Sequence, residues 1–252
     1  MSSVKTYFDT QGHNHAYHND PDIYRSIVEH ISKFPEGIEL KIFDVGCGDG
    51  SFIVSLINNI NRNNIGIYYF GTDISETMIK TANERLKKNK VFLFVGDGFN
   101  LPLNEDLKFD CIHIDSVIHH LIGKDIDESK ILTKKIMEIM MKKLKKNGAL
   151  ILEEVFYDSY IKSDLTSILI FYGLKFLNKI NININRIINE YQKGLEVRFL
   201  TKGEINEILK AYGEPILIKK NIWRIPFIYK LFFLKELGHV SYMVKNGSRI
   251  GD

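Results

Sequence analysis

The sequence predicts an α/β fold with a doubly wound, mostly parallel sheet, and three observations lead to this class. Five apolar strand-like runs alternate with helix-like segments between residues 41 and 154. Several runs end in an acid or lead into a histidine pair, which places polar groups at one edge of the sheet. The run Lys41–Val45 is followed by three alternating glycines and then by apolar residues at helical spacing, the pattern of a strand, a tight loop and a helix.

Length and composition indicate one soluble domain. The 252 residues are 44% hydrophobic and 26% charged, with a net charge of +3, which does not favour bulk nucleic-acid binding. The first residues lack the apolar core of a signal peptide, and no apolar run reaches the roughly 18 residues of a spanning helix. We therefore expect a cytoplasmic protein. Two cysteines, Cys47 and Cys111, form neither a disulfide framework nor a metal set.

Residues 1–35 are predicted to form an N-terminal helical cap. Asp20 followed by Pro21 is a typical helix start, and apolar residues recur behind it at helical spacing. His13, His15 and His18 lie close together, but their spacing matches no helical pair of zinc ligands. A flexible cap over the site, or plain surface, explains them better than a metal, and we predict no metal site.

The glycine loop after the first strand identifies the region of ligand binding. Three glycines in five residues suit a backbone that takes positive φ or lets a ligand come close. The helix behind the loop offers unpaired N–H groups to an anion. A dinucleotide fingerprint requires G-x-G-x-x-G, however, and Ser51 stands where its third glycine belongs.

The pattern Asp44-x-Gly46-x-Gly48-x-Gly50 instead resembles the first motif of class I (Rossmann-like) methyltransferases that depend on S-adenosylmethionine (SAM), of the small-molecule type. The resemblance covers roughly residues 41 to 154. It implies that this loop, including Cys47, holds the amino-acid end of SAM. It also implies a seven-stranded, mostly parallel sheet with an antiparallel last pair of strands.

The second and third strands add acids at the same edge. The run Ile65–Asp73 ends in an acid roughly 20 residues beyond the loop, where Rossmann-type sheets place a carboxylate that accepts from ribose hydroxyls. Asp73 could alternatively cap the next helix, for which Ser75 is a second candidate. After the strand Val91–Val95, the resemblance implies that Asp97 accepts from the adenine amino group. It also implies cofactor contacts at the neighbours of both acids: Ile74, Met78, Gly96 and Gly98.

The end of the fourth strand, Phe109–Asp115, is where we expect the chemistry, because ligands in open parallel sheets lie beyond the carboxyl ends of strands. Asp115 and Ser116 are predicted to contact the cofactor. The following S-V-I-H-H-L resembles a V-L-H-H-L stretch common in this class, in which one histidine faces the pocket. His113 lies deeper and is predicted to be a core histidine satisfied by the backbone.

A proton must leave the acceptor when a hydroxyl, an acidic carbon or a protonated amine is methylated, and histidine suits this role near neutral pH. The catalytic candidates are His119, His120 and Asp115, with Glu153 behind them. The metal-free reaction needs only alignment of the groups and exclusion of water.

A helix from Ile126 to Lys146 and a fifth strand from Gly148 to Glu154 complete the core. Residues 155–198 are apolar and aromatic, and the resemblance implies a helical lid that builds part of the acceptor pocket; a core belonging to the lid itself explains the composition equally well. A capping box at Thr201–Glu204 begins a last helix. Two final strands are predicted, Ile216–Lys220 and His239–Val244.

Residues 223–235 are the most apolar and aromatic stretch and carry interspersed basic residues. Three interpretations stay open: packing under the lid, a dimer face, or an interfacial segment that contacts a membrane.

The chain is therefore predicted to be a single domain, 1–252, that transfers a methyl group from SAM to a small, apolar, aromatic or lipid-like acceptor. Its parts are the cap 1–35, the cofactor-binding core 36–154, the lid 155–198 and the C-terminal part of the sheet 199–252. The alternatives are a non-catalytic SAM-binding protein, a protein or RNA methyltransferase and, less favoured by the loop spacing, an NAD-dependent oxidoreductase. No DNA partner is expected, and the protein is predicted to be a monomer or a homodimer.

Overall fold

The computed structural model describes residues 3–11, 20–35, 37–60, 66–87, 90–180, 195–225, 227–231 and 233–247. His13, His15 and His18 lie outside these residues. Seven strands are present in the described part of the chain: β1 (Leu40–Val45), β2 (Ile67–Asp73), β3 (Val91–Val95), β4 (Phe109–Asp115), β5 (Leu144–Ser159), β6 (Ile216–Ile222) and β7 (Leu234–Lys245). They form one sheet in the order β3-β2-β1-β4-β5-β7-β6.

The strands β1 to β5 pair in parallel, while β7 lies antiparallel between β5 and β6. This topology confirms the predicted doubly wound, mostly parallel, seven-stranded sheet. The order reverses between β1 and β4, so the crevice beyond their carboxyl ends is the expected ligand site.

Eight α-helices lie in the described residues: α1 (Ser3–Gln11), α2 (Pro21–Ile31), α3 (Ser51–Asn59), α4 (Glu76–Arg85), α5 (Ile126–Lys143), α6 (Leu165–Lys179), α7 (Lys202–Lys210) and α8 (Phe227–Lys230). The predicted helix starts are confirmed. Asp20 caps α2 with Pro21 at its first position, Ser75 caps α4, and Thr201 and Glu204 form a capping box on α7. None of the helices in these ranges is long and apolar enough to cross a membrane.

The core lies on both faces of the sheet because successive strand residues point to opposite sides. On one face Ile112 belongs to a buried cluster with Met140 of α5. On the other face Cys111 belongs to a cluster with Ile27 of α2. Burial on both faces explains why the parallel strands read as continuous apolar runs.

Several boundaries differ from prediction. The helix α5 ends at Lys143 rather than Lys146, β5 spans Leu144–Ser159 rather than Gly148–Glu154, and β7 begins at Leu234 rather than His239. For the end of β5 and the start of β7 the cause is non-local, because these two strands pair from Ala149–Lys245 to Ser159–Leu234. Both strands therefore project beyond the parallel part of the sheet.

Candidate active site

The glycine loop joins β1 to α3 in a conformation that glycine adopts easily. Gly46, Gly48 and Gly50 have φ of 74°, 52° and 78°. A Cβ atom on Gly46 would lie 2.4 Å from Cγ2 of Val117, so the loop also lies close to the end of β4. Gly50 is the N-cap residue of α3, so the first turn of this helix follows the loop directly.

Asp73 ties the loop to the next helix. One of its carboxylate oxygens accepts from the Gly48 N–H at 3.0 Å, and the other accepts from the Ser75 N–H at 2.8 Å. Burial raises the pKa of Asp73, and the two backbone N–H groups counteract this effect. Asp97 is exposed in the turn after β3, where its carboxylate accepts from the Phe99 N–H.

Asp44 has a buried carboxylate oxygen that no hydrogen bond in the described structure satisfies. Its Oδ1 lies 2.8 Å from Nδ1 of His113, whereas no described group partners Oδ2. Buried polar atoms are nearly always hydrogen-bonded, so an orphaned acceptor beside a glycine loop indicates a donor on a ligand. The ammonium group at the amino-acid end of SAM is such a donor, and the residues present therefore fit this cofactor.

His113 corrects one prediction, because carboxylates rather than the backbone satisfy it. Its Nδ1 contacts Asp44 and its Nε2 lies 2.8 Å from Oε1 of Glu153. The ring stacks on Phe52 of α3 with 3.7 Å between centroids. Burial opposes the charged imidazole, but the two acids outweigh it and raise the pKa of His113 to about 10.

This pKa predicts a pH-dependent stability. The folded value of about 10 exceeds the unfolded value of 6.5, so the stabilisation is complete below pH 6.5 and is lost as the pH rises toward 10. We expect the thermal midpoint of the wild type to fall more steeply over this window than that of His113→Gln, which cannot titrate. Parallel slopes for the two proteins would show that His113 is not charged in the folded state.

Asp115 lies at the end of β4 and pairs with His239 of β7 across the end of β5. The distance from Asp115 Oδ1 to His239 Nε2 is 3.3 Å, and the Ser116 hydroxyl donates to the same carboxylate. Burial raises the pKa of Asp115, but His239 outweighs this effect and the pKa lies below its usual range. Burial lowers the pKa of His239, and Asp115 more than reverses it. Each group therefore favours the charged form of the other.

Sequence reasoning missed the role of His239. The only local signal was its position at the start of a candidate strand, and nothing nearby in the sequence indicates Asp115 as its partner. Ligand atoms of Asp115, Glu153 and His239 lie within 4.8 Å of one another. Both oxygens of Glu153 already accept, from His113 and from the Ser241 hydroxyl, so hydrogen bonding accounts for this carboxylate.

His119 lies on the opposite face of the sheet from this network. Its Nδ1 is 2.6 Å from Oε1 of Glu154, whose second oxygen accepts from the N–H groups of residues 118 and 119. Glu153 and Glu154 are adjacent in β5, so their side chains lie on opposite faces of the sheet. His120 contacts His119 and packs edge-on against Phe8 of α1, 5.5 Å between centroids.

The helix α1 lies against the start of α4. The hydroxyl of Ser75 donates to Asp9 at 2.7 Å, and Lys5 forms ion pairs with Asp9 and Glu76. Since Phe8 reaches His120, α1 connects the start of α4 with the histidine pair. This arrangement agrees with the predicted N-terminal cap, whose boundaries stay a prediction.

The remaining predicted cofactor residues differ in burial, and their contact with a cofactor stays a prediction. Cys47 and Met78 are buried in the core, Ile74 and Gly96 are partly buried, and Gly98 faces Ile136 of α5. Burial raises the pKa of the Cys47 thiol well above its usual value, so this side chain is an uncharged packing group. Cys47 would therefore meet a ligand through its backbone.

Comparison with known families gives one match by sequence. A family model described as a methyltransferase domain matches residues 38–210. No curated protein matches the chain.

Solved structures resemble the chain over nearly its full length. They include magnesium protoporphyrin IX methyltransferase from Synechocystis PCC 6803 with bound SAH, at 17% identity and a TM-score of 0.54, covering 95% of this chain and 97% of that one. An S-adenosylmethionine-dependent methyltransferase from Clostridium acetobutylicum ATCC 824 has 16% identity and a TM-score of 0.54, with 97% of each chain covered. An arsenic(III) S-adenosylmethionine methyltransferase from Chlamydomonas reinhardtii has 15% identity and a TM-score of 0.56, covering 93% of this chain and 76% of that one. At these identities the likeness concerns the fold.

Proposed function

The chain belongs to the methyltransferase-domain family and is a SAM-dependent methyltransferase, and from this premise we propose that its acceptor is a small molecule with an apolar, aromatic or lipid-like body. One observation carries the proposal: aromatic rings flank the histidine pair at the sheet edge. Phe8 packs on His120, and Phe199 packs on His119 at 5.6 Å while stacking on Tyr157 at 4.1 Å. Such rings favour a flat or apolar molecule beside the polar groups.

The cofactor would bind at the carboxyl ends of the first three strands. Asp44 and the loop Gly46–Gly50 would hold the amino-acid end of SAM, Asp73 its ribose, and Asp97 its adenine. When bound, SAM supplies a methyl group activated by its sulfonium. The protein contributes alignment and exclusion of water. A separate group must accept the proton that leaves the methyl acceptor.

The candidate acceptors of that proton are His119, His120 and Asp115. Glu154 fixes the ring of His119, the arrangement in which an acid orients a histidine base. Asp115 is partly exposed and held ionised by His239, so it also suits a positively charged or hydroxyl-bearing acceptor. His120 packs between Phe8 and His119.

Replacement of the histidines tests the proton-transfer role. We expect His119→Ala and His120→Ala together to lower kcat by about 100-fold or more, the usual contribution of general acid–base catalysis, while the affinity for S-adenosylhomocysteine stays unchanged. Product formation with the true acceptor and calorimetric titration of the cofactor product measure the two quantities. Full turnover in the double variant would leave positioning alone as the mechanism.

A methyltransferase that acts on protein or RNA is the second candidate function. The end of β4 reads Asp115-Ser116-Val117-Ile118 rather than the Asn/Asp-Pro-Pro-Tyr/Phe pattern usual for nucleic-acid or glutamine methylation. Incubation of the protein with labelled SAM and separated cell fractions distinguishes these cases. Label in small organic-soluble molecules supports the proposal, whereas label in protein or RNA, or no formation of S-adenosylhomocysteine, contradicts it.

A further inference from the structure

A group of large apolar side chains is exposed where β5, β6 and β7 project beyond the parallel sheet. The group, here called the distal patch, has members that are between 42% and 78% exposed: Tyr160, Ile161, Ile222, Phe227, Leu231 and Phe233. Scattered exposed apolar residues are normal, but Tyr160 and Phe227 line one cavity and the Tyr160 N–H donates to the Phe233 carbonyl, so these members lie together and mark an interaction site. Packing thus accounts for only part of residues 223–235, and their other described side chains are exposed.

Only part of that stretch packs against the protein. Trp223 and Ile225 are half-buried against Leu234, Leu237 and Tyr157. This cluster anchors the segment, and the short helix α8 then carries Phe227 outward. The exposed side chains are thus held by an ordered base.

A cavity of about 740 Å³, in the size range of small-molecule pockets, adjoins the patch and shares Tyr160 and Phe227 with it. Aromatic and cationic side chains line it together, chiefly Tyr160, Trp223, Arg224, Phe227, Lys230 and Lys235. A cavity of this composition suits a ligand with an anionic head and an apolar body.

The charged residues that line the cavity are all cationic. Residues 223–235 contain Arg224, Lys230 and Lys235 and no acid. The next residue, Glu236, is already neutralised by ion pairs with Lys202 and Lys220. The three cations therefore face solvent beside exposed aromatic residues, the composition of surfaces that bind anionic lipid.

We propose that the distal patch docks on an anionic phospholipid surface. A headgroup phosphate enters the cavity between Arg224, Lys230 and Lys235, while Phe227, Leu231 and Phe233 reach the headgroup–acyl boundary. The patch lies at the same sheet edge as Asp115, because Ser159–Leu234 is six residue pairs beyond Glu153–Ser241, about 20 Å along the strands. Docking therefore turns the edge that carries the active site toward the bilayer.

Vesicle co-sedimentation tests the charged half of the patch. We expect the wild type to bind vesicles of phosphatidylcholine mixed with phosphatidylglycerol, and to bind vesicles of phosphatidylcholine alone much more weakly. Each cation near an anionic surface contributes roughly fivefold, so Arg224→Gln, Lys230→Gln and Lys235→Gln combined should weaken binding by about 100-fold. The matched control replaces three exposed lysines elsewhere, Lys80, Lys134 and Lys210, by Gln and should bind nearly like the wild type.

The apolar half is tested separately with Phe227→Ser and Leu231→Ser. We expect this pair to reduce binding to mixed vesicles and to leave its salt dependence in place. Equal binding to both kinds of vesicle, equal loss in both triple variants, or no vesicle binding would each overturn the proposal. Binding of a dispersed short-chain phosphatidylglycerol without binding to vesicles would also overturn it. So would a protein that does not bind vesicles and forms a dimer in light scattering, if Phe227→Ser converts this dimer to a monomer.

Discussion

Gly46→Ala is expected to lower the free energy of unfolding by about 3 kcal/mol, the sum of a left-handed backbone for an L-residue and overpacking. Gly46 has φ of 74°, and the added methyl would lie 2.4 Å from Cγ2 of Val117. The thermal midpoint should fall by roughly 6–12 °C for a chain of this size. Because Val117 follows Ser116, we also expect the variant to lose affinity for S-adenosylhomocysteine.

Two other glycines separate these contributions. Gly37 has φ of 84° but no described atom within 4 Å of an added Cβ, so Gly37→Ala should cost only about 1 kcal/mol. Gly173 lies inside α6 with the same open space and without positive φ, so Gly173→Ala should stabilise by about 1 kcal/mol. If Gly46→Ala were no more destabilising than Gly37→Ala, the close approach of the loop to β4 would be wrong.

Asp44→Asn is expected to weaken the binding of S-adenosylhomocysteine by about 10- to 100-fold. The physical reason is the buried Oδ2, which has no described partner and is ready to accept from the ligand ammonium; charge-assisted hydrogen bonds of this kind contribute about 1.5–3 kcal/mol. The amide of Asn carries no charge and turns either its oxygen or its NH₂ group toward the ligand. Calorimetric titration measures the change.

Asp49→Asn is the matched control, since Asp49 lies in the same loop. Its carboxylate accepts from the backbone and hydroxyl of Ser51 and pairs with Arg85, so its role is local. We expect the affinity for the cofactor product to stay nearly unchanged in this variant. Because Asp44 also contacts His113, thermal unfolding of both variants must accompany the titrations, so that lost affinity is not confused with lost folding. Equal affinities in the folded variants would remove Asp44 from the binding site.

The parts of the fold that depend on local patterns could be predicted from the sequence. The glycine loop, the acids at the ends of β1, β2 and β4, and the helix caps at Asp20, Ser75 and Thr201 each depend on a few adjacent residues. The parallel strands could be predicted from apolar runs of four to seven residues, because such strands are buried on both faces.

The features that could not be predicted depend on contacts between residues far apart in the sequence. The partner of His239 is Asp115, which lies on β4, and this contact exists only because β7 inserts antiparallel beside β5. His113 resembles an ordinary core histidine until β1 and β5 bring Asp44 and Glu153 to its two nitrogens. The length of β5 likewise follows from its pairing with β7. Local periodicity carries no information on any of these contacts.

The most direct test of the account is a pair of calorimetric titrations of the wild-type protein, one with S-adenosylhomocysteine and one with NADH. The glycine spacing and the unpartnered oxygen of Asp44 predict saturable binding of S-adenosylhomocysteine at one site per chain and no binding of NADH. Binding of NADH in preference to S-adenosylhomocysteine, or binding of neither, would contradict the assignment of this site.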